Sequence, residues 1–390
     1  MTYKVGLASG IVFIVVAGFF ALSRISNGAS AADVARHIVD TCSQGSDHEQ
    51  CYEHEVPLLY GTLSIPQIFD VIRQIRVEDP TYQFCHVLAH ELGEKVVAQD
   101  PAKWLNAIPL NPSDGMCSNG FIHGVIVGRF RNDVLDDAAV KKAIPDFSRA
   151  CEAHAGWQPS ILDQAICYHG MGHLYTFITN ADLPRALSIC KATTESPSGS
   201  FLRVCSEGVF MQIYQPLEPD DFLLVKHLPI KPTAANYRKL CSAFKDPDQQ
   251  GACLREAWPL LYKEVQSGTG VAEFCHGQPV GETHACYESA SAIVGRMSLQ
   301  NTEQAATACG HFPSSEQATC FIASAQAQIE EDRSQGKVAL ELCNRAPTDI
   351  ASLCVKALAD RAAFLFQKGS PELDSFCKLV QEQYQTSCHR

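Results

Sequence analysis

Five histidines of this chain stand in segments that resemble one another. Cys167-Tyr168-His169-Gly170-Met171-Gly172-His173 has a Gly three residues after its Cys and a His six after it. Cys117-Ser118-Asn119-Gly120-Phe121-Ile122-His123 repeats that frame, and Cys205-Ser206-Glu207-Gly208-Val209-Phe210-Met211 repeats it with Met in the last place. A looser copy, Cys85-His86-Val87-Leu88-Ala89-His90, carries two His four residues apart. The candidate site residues are therefore His86, His90, His123, His169 and His173, with Glu207 and Met211 at the equivalent places of the last copy.

Residues four apart share one face of a helix. His86/His90 and His169/His173 are then two claws, each able to offer two imidazoles. Neutral imidazole is the commonest metal ligand among side chains, and a tetrahedral shell needs donors from a second helix. An all-His set suits zinc, copper, nickel or iron. Met211 in the shell favours copper(I), and Glu207 favours iron or manganese. Glu94, four after His90, lies on the same stripe. Two other uses of the imidazoles stay open: hydrogen bonding across close helix contacts, and proton transfer without metal. The remaining histidines, His37, His48, His54, His154, His227, His276, His284, His311 and His389, read as core or surface groups.

An internal comparison separates the fold from the site. Later in the chain the places two and six after the second Cys of a pair hold Glu288 and Ala292, Ile322 and Gln326, and Lys356 and Asp360. The repeat itself does not demand His there. Metallopeptidase chemistry finds little support: His90-Glu91-Leu92-Gly93-Glu94 has Glu where the zincin motif has its second His. There is no Gly-x-Ser-x-Gly, no P-loop and no Cys-x-x-Cys-His.

The chain has 390 residues and is 46% hydrophobic, enough for two domains or one long array. A net charge of −12 speaks against nucleic acid and anionic membrane surfaces as partners. Lys4 and Arg24 flank an uncharged run from Val5 to Leu22. As a helix that run is about 27 Å long, close to the thickness of a bilayer core. It reads as a single membrane anchor or as a signal peptide cleaved near Ala29-Ser30-Ala31, and either places the rest outside the cytosol: periplasmic, cell-surface or secreted. The 18 Cys agree, because an even number at short spacing in an oxidising compartment predicts disulfides. Pairing of chain neighbours is expected: 42/51, 85/117, 151/167, 190/205, 241/253, 275/286, 309/320, 343/354 and 377/388.

The elements that must position the histidines read as helices. Ala31–Thr41 and Glu49–Leu59 form a stapled pair. Ser64-Ile65-Pro66 opens the next helix, Asp79-Pro80 opens the one carrying Cys85, His86 and His90, and Asp100-Pro101 opens another. Asn111–Gly115 is a turn. Pro159 and Pro197 open the second helices of the next two hairpins. Gly120, Gly124 and Gly128 lie four apart and make one bare helical stripe. Gly costs about 1 kcal/mol against Ala in a helix, so the stripe predicts the close approach of another backbone or a ligand. Nothing alternates with period two for long, and no sheet is expected.

From about residue 235 the first Cys of each pair recurs every 34 residues, at 241, 275, 309, 343 and 377. Pro247, Pro279, Pro313 and Pro347 each stand six or seven residues before a second Cys. A two-helix unit of this period resembles tetratricopeptide and Sel1-like solenoids over residues 235–390. The resemblance implies stacked hairpins and carries no functional residue with it. The Trp, Gly and Tyr positions of the tetratricopeptide consensus are absent here.

The sequence thus predicts an all-α protein of disulfide-stapled αα-hairpin repeats forming a solenoid. Residues 1–31 are the signal anchor or signal peptide with a linker, 32–234 the His-rich helical domain, and 235–390 five Cys-pair repeats. The expected function is extracytoplasmic metal binding (copper, zinc or iron) at the multi-His site. The rivals are a scaffold that binds another envelope protein through the solenoid, with structural histidines, and a metal-dependent oxidoreductase or hydrolase. Gathering of the five imidazoles favours the first, and their scatter among separate hairpins the second.

Overall fold

All 18 cysteines pair with their chain neighbours. The longest loop, Cys85 to Cys117, spans 32 residues, and the five C-terminal pairs span 11 or 12. Their Cα separations, 4.9–5.8 Å, lie within the ordinary disulfide range. So many intramolecular disulfides indicate an oxidising, extracytoplasmic environment. The computed structural model describes residues 29–389 apart from 46, 83, 131–133, 155, 198, 217, 218 and 300. Among these residues no helix is long and apolar enough to cross a membrane. The apolar run Val5–Leu22, on which the anchor and signal-peptide readings rest, lies outside them.

The described chain is predominantly helical. The N-terminal part holds α1 (Ala31–Cys42), α2 (His48–Glu55), α3 (Ile65–Glu78), α4 (His86–Gln99), α5 (Gly120–Phe130), α6 (Asp137–Ala150), α7 (Ile161–Ile178), α8 (Leu183–Thr193), α9 (Leu202–Tyr214) and α10 (Pro219–Val225). Ser30, Ser64 and Ser160 cap α1, α3 and α7 in reciprocal capping boxes with Asp33, Gln67 and Asp163. Asp79-Pro80 opens a turn and not a helix, and α4 begins only at His86. The Asp79 carboxylate accepts hydrogen bonds from the Thr81 backbone at 3.0 Å and the Tyr52 hydroxyl at 2.9 Å. That turn lets Tyr82 bury against Tyr52, ring centres 4.9 Å apart, before the helix starts. Between Cys190 and Cys205 a two-residue ribbon, Glu195–Ser196 against Gly199–Ser200, departs from the expectation of no sheet. Pro197 sits at its turn, so α9 starts later, at Leu202.

In the C-terminal part each first Cys lies at the end of a short helix and each second Cys in a following one. Those second helices are α11 (Pro247–Glu256), α12 (Thr283–Met297), α14 (Gln317–Glu331), α16 (Thr348–Asp360) and α18 (Glu382–Cys388), with α13 (Thr302–Gly310), α15 (Gly336–Asn344) and α17 (Pro371–Leu379) between them. Helices bearing successive second cysteines touch in sequence, α7 on α9, α9 on α11, α12 on α14 and α14 on α16. Cys241, Cys253 and Leu254 pack with the N-terminal core, and the residues from Val265 onward build mostly a second one. The turn after α14 also reaches back to the N-terminal part. The buried Arg333 guanidinium donates to Asp163 at 2.5 Å, to the Ser113 carbonyl at 2.8 Å and to the Leu365 carbonyl at 2.7 Å.

The glycine stripe does what its spacing predicts. A Cβ on Gly120 would run into the His86 carbonyl, one on Gly124 into the His90 carbonyl, and one on Gly128 into the Glu94 backbone. On the other side Gly93 abuts the Phe121 carbonyl. The pair α7/α9 repeats the device, with Gly172 on the Cys205 carbonyl and Gly208 on the His169 carbonyl. Four of these contacts, those of Gly120, Gly124, Gly172 and Gly208, fall at or next to a histidine of the motif. Bare backbone lets adjacent helices approach closely enough for their side chains to share one cleft.

Candidate metal centre

His86 and His90 project from α4, His123 from α5, His169 and His173 from α7, and Met211 from α9. The imidazoles form two triangles that share His123. In the first, ring centres lie 6.1 Å (His86–His90), 5.2 Å (His86–His123) and 6.4 Å (His90–His123) apart. In the second they lie 6.0 Å (His123–His169), 5.6 Å (His123–His173) and 5.0 Å (His169–His173) apart. Two imidazoles on one tetrahedral ion, with metal–nitrogen bonds near 2.0 Å, have ring centres about 5 Å apart. The gathering is of the right scale. Even so, among the described residues no three His, Cys, Asp or Glu side chains are already arranged to hold a metal ion.

The hydrogen bonds explain both facts. His123 Nε2 lies 3.1 Å from the Ile166 carbonyl, which can only accept, so Nε2 carries the proton and Nδ1 the lone pair. His173 Nδ1 lies 2.5 Å from Gln212 Oε1, while Gln212 Nε2 donates to Asp221 at 2.6 Å. That relay orients the Gln212 amide and leaves the His173 lone pair on Nε2. Outer hydrogen bonds of this kind fix the tautomer and orientation of metal-ligating histidines. His169 is hydrogen-bonded to the Val204 backbone, and its Nε2 stands 3.2 Å from Met211 Sδ. His90 Nδ1 lies 3.4 Å from Glu94 Oε1. Four of the five rings are held by these contacts, and His86 packs against Phe84.

Glu207 is drawn elsewhere. Its carboxylate is 2.9 Å from the buried Arg255, which also pairs with Glu282. Met211, one turn further along α9, lines the cleft together with His86, His90, His123 and His173. The cleft measures about 30 Å³, room for an ion and a water or two but not for an organic substrate. Gln212 and Asp221, which steer His173, carried no sequence signal. Gln212 merely follows Met211, and Asp221 lies on α10 outside every copy of the frame. Phe84 stacks on His86 at 6.1 Å and was likewise not singled out. The nine histidines outside the frame lie elsewhere; His48 faces Asp79, His154 the Glu152 carbonyl and His311 the Ser267 carbonyl.

Burial holds the pKa of His123 and of His169 well below the usual imidazole value, with the neighbouring histidines adding to the effect. Both rings are neutral at pH 7, the form that binds metal. A histidine depressed in the folded state contributes stability above its unfolded pKa, about 6.5, and loses it as pH falls below that value. Glu256 acts in the opposite sense. Burial and the nearby Glu207 push its carboxyl up to about 8, so its contribution is lost as pH rises from the ordinary carboxylate range toward 8. Across pH 6.5 to 5.5 Glu256 gains what a histidine loses, so the prediction is a difference: the metal-free wild type is expected to fall in stability relative to His123→Gln by up to about 1.4 kcal/mol per pH unit. Urea midpoints at both pH values, compared with those of His123→Gln, check this. An equal pH dependence in the variant would refute it.

No protein-family model, curated protein or solved structure matches this chain. Its class rests on fold and site alone: a disulfide-stapled helical-hairpin protein with a multi-histidine cleft.

Proposed function

We propose that this chain is an extracytoplasmic protein that binds a transition-metal ion through His86, His90, His123, His169 and His173, with Met211 as an accessory ligand. The observation that carries the reading is the gathering of five imidazoles from three helices, four of them lining a cleft of ionic size. Outer hydrogen bonds at His123 and His173 leave one lone pair on each ring. Glu207 drops to a structural role beside Arg255, which weakens the case for iron or manganese and leaves copper and zinc in front. The cleft's size sets metal holding ahead of oxidoreductase or hydrolase chemistry on an organic substrate. In this proposal the N-terminal apolar run anchors the protein to a membrane, and the hairpins of residues 235–390 stack as a solenoid.

The rival reading is an envelope scaffold whose histidines are structural. The hydrogen bonds of His123 and His173 favour it, since they give both rings a role without metal. Mass spectrometry of the full-length, untagged, disulfide-intact protein separates the two. Near-stoichiometric metal that disappears in the His90→Ala/His173→Ala variant is the expected result. No metal in either protein after incubation with copper, zinc and iron, with a large stability loss in the variant, would establish the scaffold.

A further inference from the structure

We infer that the histidine cluster holds two separate metal positions, and that the one at His169, His173 and Met211 is selective for copper(I). The inference rests on the metal-binding reading above and goes further in dividing the cluster and naming the ion.

The division follows from His123. Its Nε2 proton is committed to the Ile166 carbonyl, so the ring has a single lone pair, on Nδ1, and serves one ion at a time. It cannot bridge the two triangles that meet at it. On one side stand His86 and His90, with Glu94 Oε1 3.4 Å from His90 Nδ1. That is a nitrogen and oxygen set of the kind zinc accepts. On the other side stand His169 and His173, their ring centres 5.0 Å apart, and Met211.

The chemistry of the second set is softer. His169 Nε2 and Met211 Sδ are 3.2 Å apart. Two donors on one small ion, with bonds near 2.0 and 2.3 Å at a tetrahedral angle, stand about 3.5 Å apart, so little movement admits the ion between them. The Gln212 relay described above keeps the His173 lone pair on Nε2. No carboxylate joins from α9, because Glu207 is paired with Arg255. No thiolate competes, because every cysteine is in a disulfide. The Asp221 carboxylate lines the same cleft but is engaged by Gln212 Nε2, and a set of two imidazoles and a thioether suits copper(I) better than zinc or iron.

The test titrates full-length, untagged, disulfide-intact protein with copper(I) against a chromophoric copper(I) chelator without oxygen, and separately with zinc. Met211→Leu keeps side-chain volume and is tolerated in packed sites. It is expected to weaken copper(I) binding at least about tenfold and to leave zinc binding unchanged, whereas His86→Gln does the reverse. X-ray absorption of the copper-loaded wild type is expected to show a sulfur neighbour, a readout that needs no variant. Copper bound without sulfur, or bound equally by Met211→Leu, would overturn the copper position and leave the general metal reading standing. Neither metal bound would overturn both.

Discussion

Arg333→Met is expected to destabilise the protein by about 3–5 kcal/mol, the cost of leaving a buried charge without its partner. Arg333 and Asp163 are both 2% exposed. The guanidinium satisfies the Ser113 and Leu365 carbonyls as well as the carboxylate, so removal strands three acceptors. Asp163 is also the capping-box residue of α7, the helix that carries His169 and His173. A second substitution, Asp163→Asn, removes the stranded charge. The double variant is expected to be more stable than Arg333→Met alone, although the Asn costs stability by itself in the wild-type background. Guanidinium unfolding of the four proteins measures the coupling. Additive losses would mean that the pair contributes nothing beyond its separate members.

Gly124→Ala is expected to destabilise by about 1–3 kcal/mol, even though Ala is favoured over Gly in a helix by about 1 kcal/mol. The new methyl would occupy the space of the His90 carbonyl, so α4 and α5 must part. Separation moves His90 from His123, and metal occupancy is expected to fall with stability. Gly310→Ala supplies the control. It ends α13, with nothing within 4 Å of where its Cβ would stand, and is expected to be neutral or slightly stabilising. Thermal midpoints and metal content of both variants decide the matter. A Gly124→Ala protein as stable and as metal-rich as wild type would remove the glycine stripe from the account of the site.

Much of this arrangement was legible because it is local. Pairing each cysteine of odd rank in the chain with the next one along is the economical expectation from short spacing, and all nine disulfides obey it. The Ser caps and the glycines at four-residue steps are equally local signals, each with a physical reason. Three features were not legible. The start of α4 at His86 depends on burying Tyr82 against Tyr52, a contact between segments thirty residues apart. The capture of Glu207 by Arg255 depends on α9 lying beside α11, and equivalence within the repeat frame gave no hint of it. The tie from Arg333 to Asp163 joins residues 170 apart, beyond the reach of any periodicity.

The order of the disulfides has a consequence for how the chain is made. Each cysteine bonds to the next one along, so oxidation can keep pace with export from the N-terminus. A hairpin that has emerged holds both of its thiols before the following pair arrives, and nearest-neighbour encounter already selects the native partner. Consecutive pairing of this kind lowers the number of wrong partners available at any moment, which reduces the demand for reshuffling. The Cys85–Cys117 loop is the exception in length, since 32 residues must emerge before it can close. It also ties together α4 and α5, the two helices that carry the first histidine triangle.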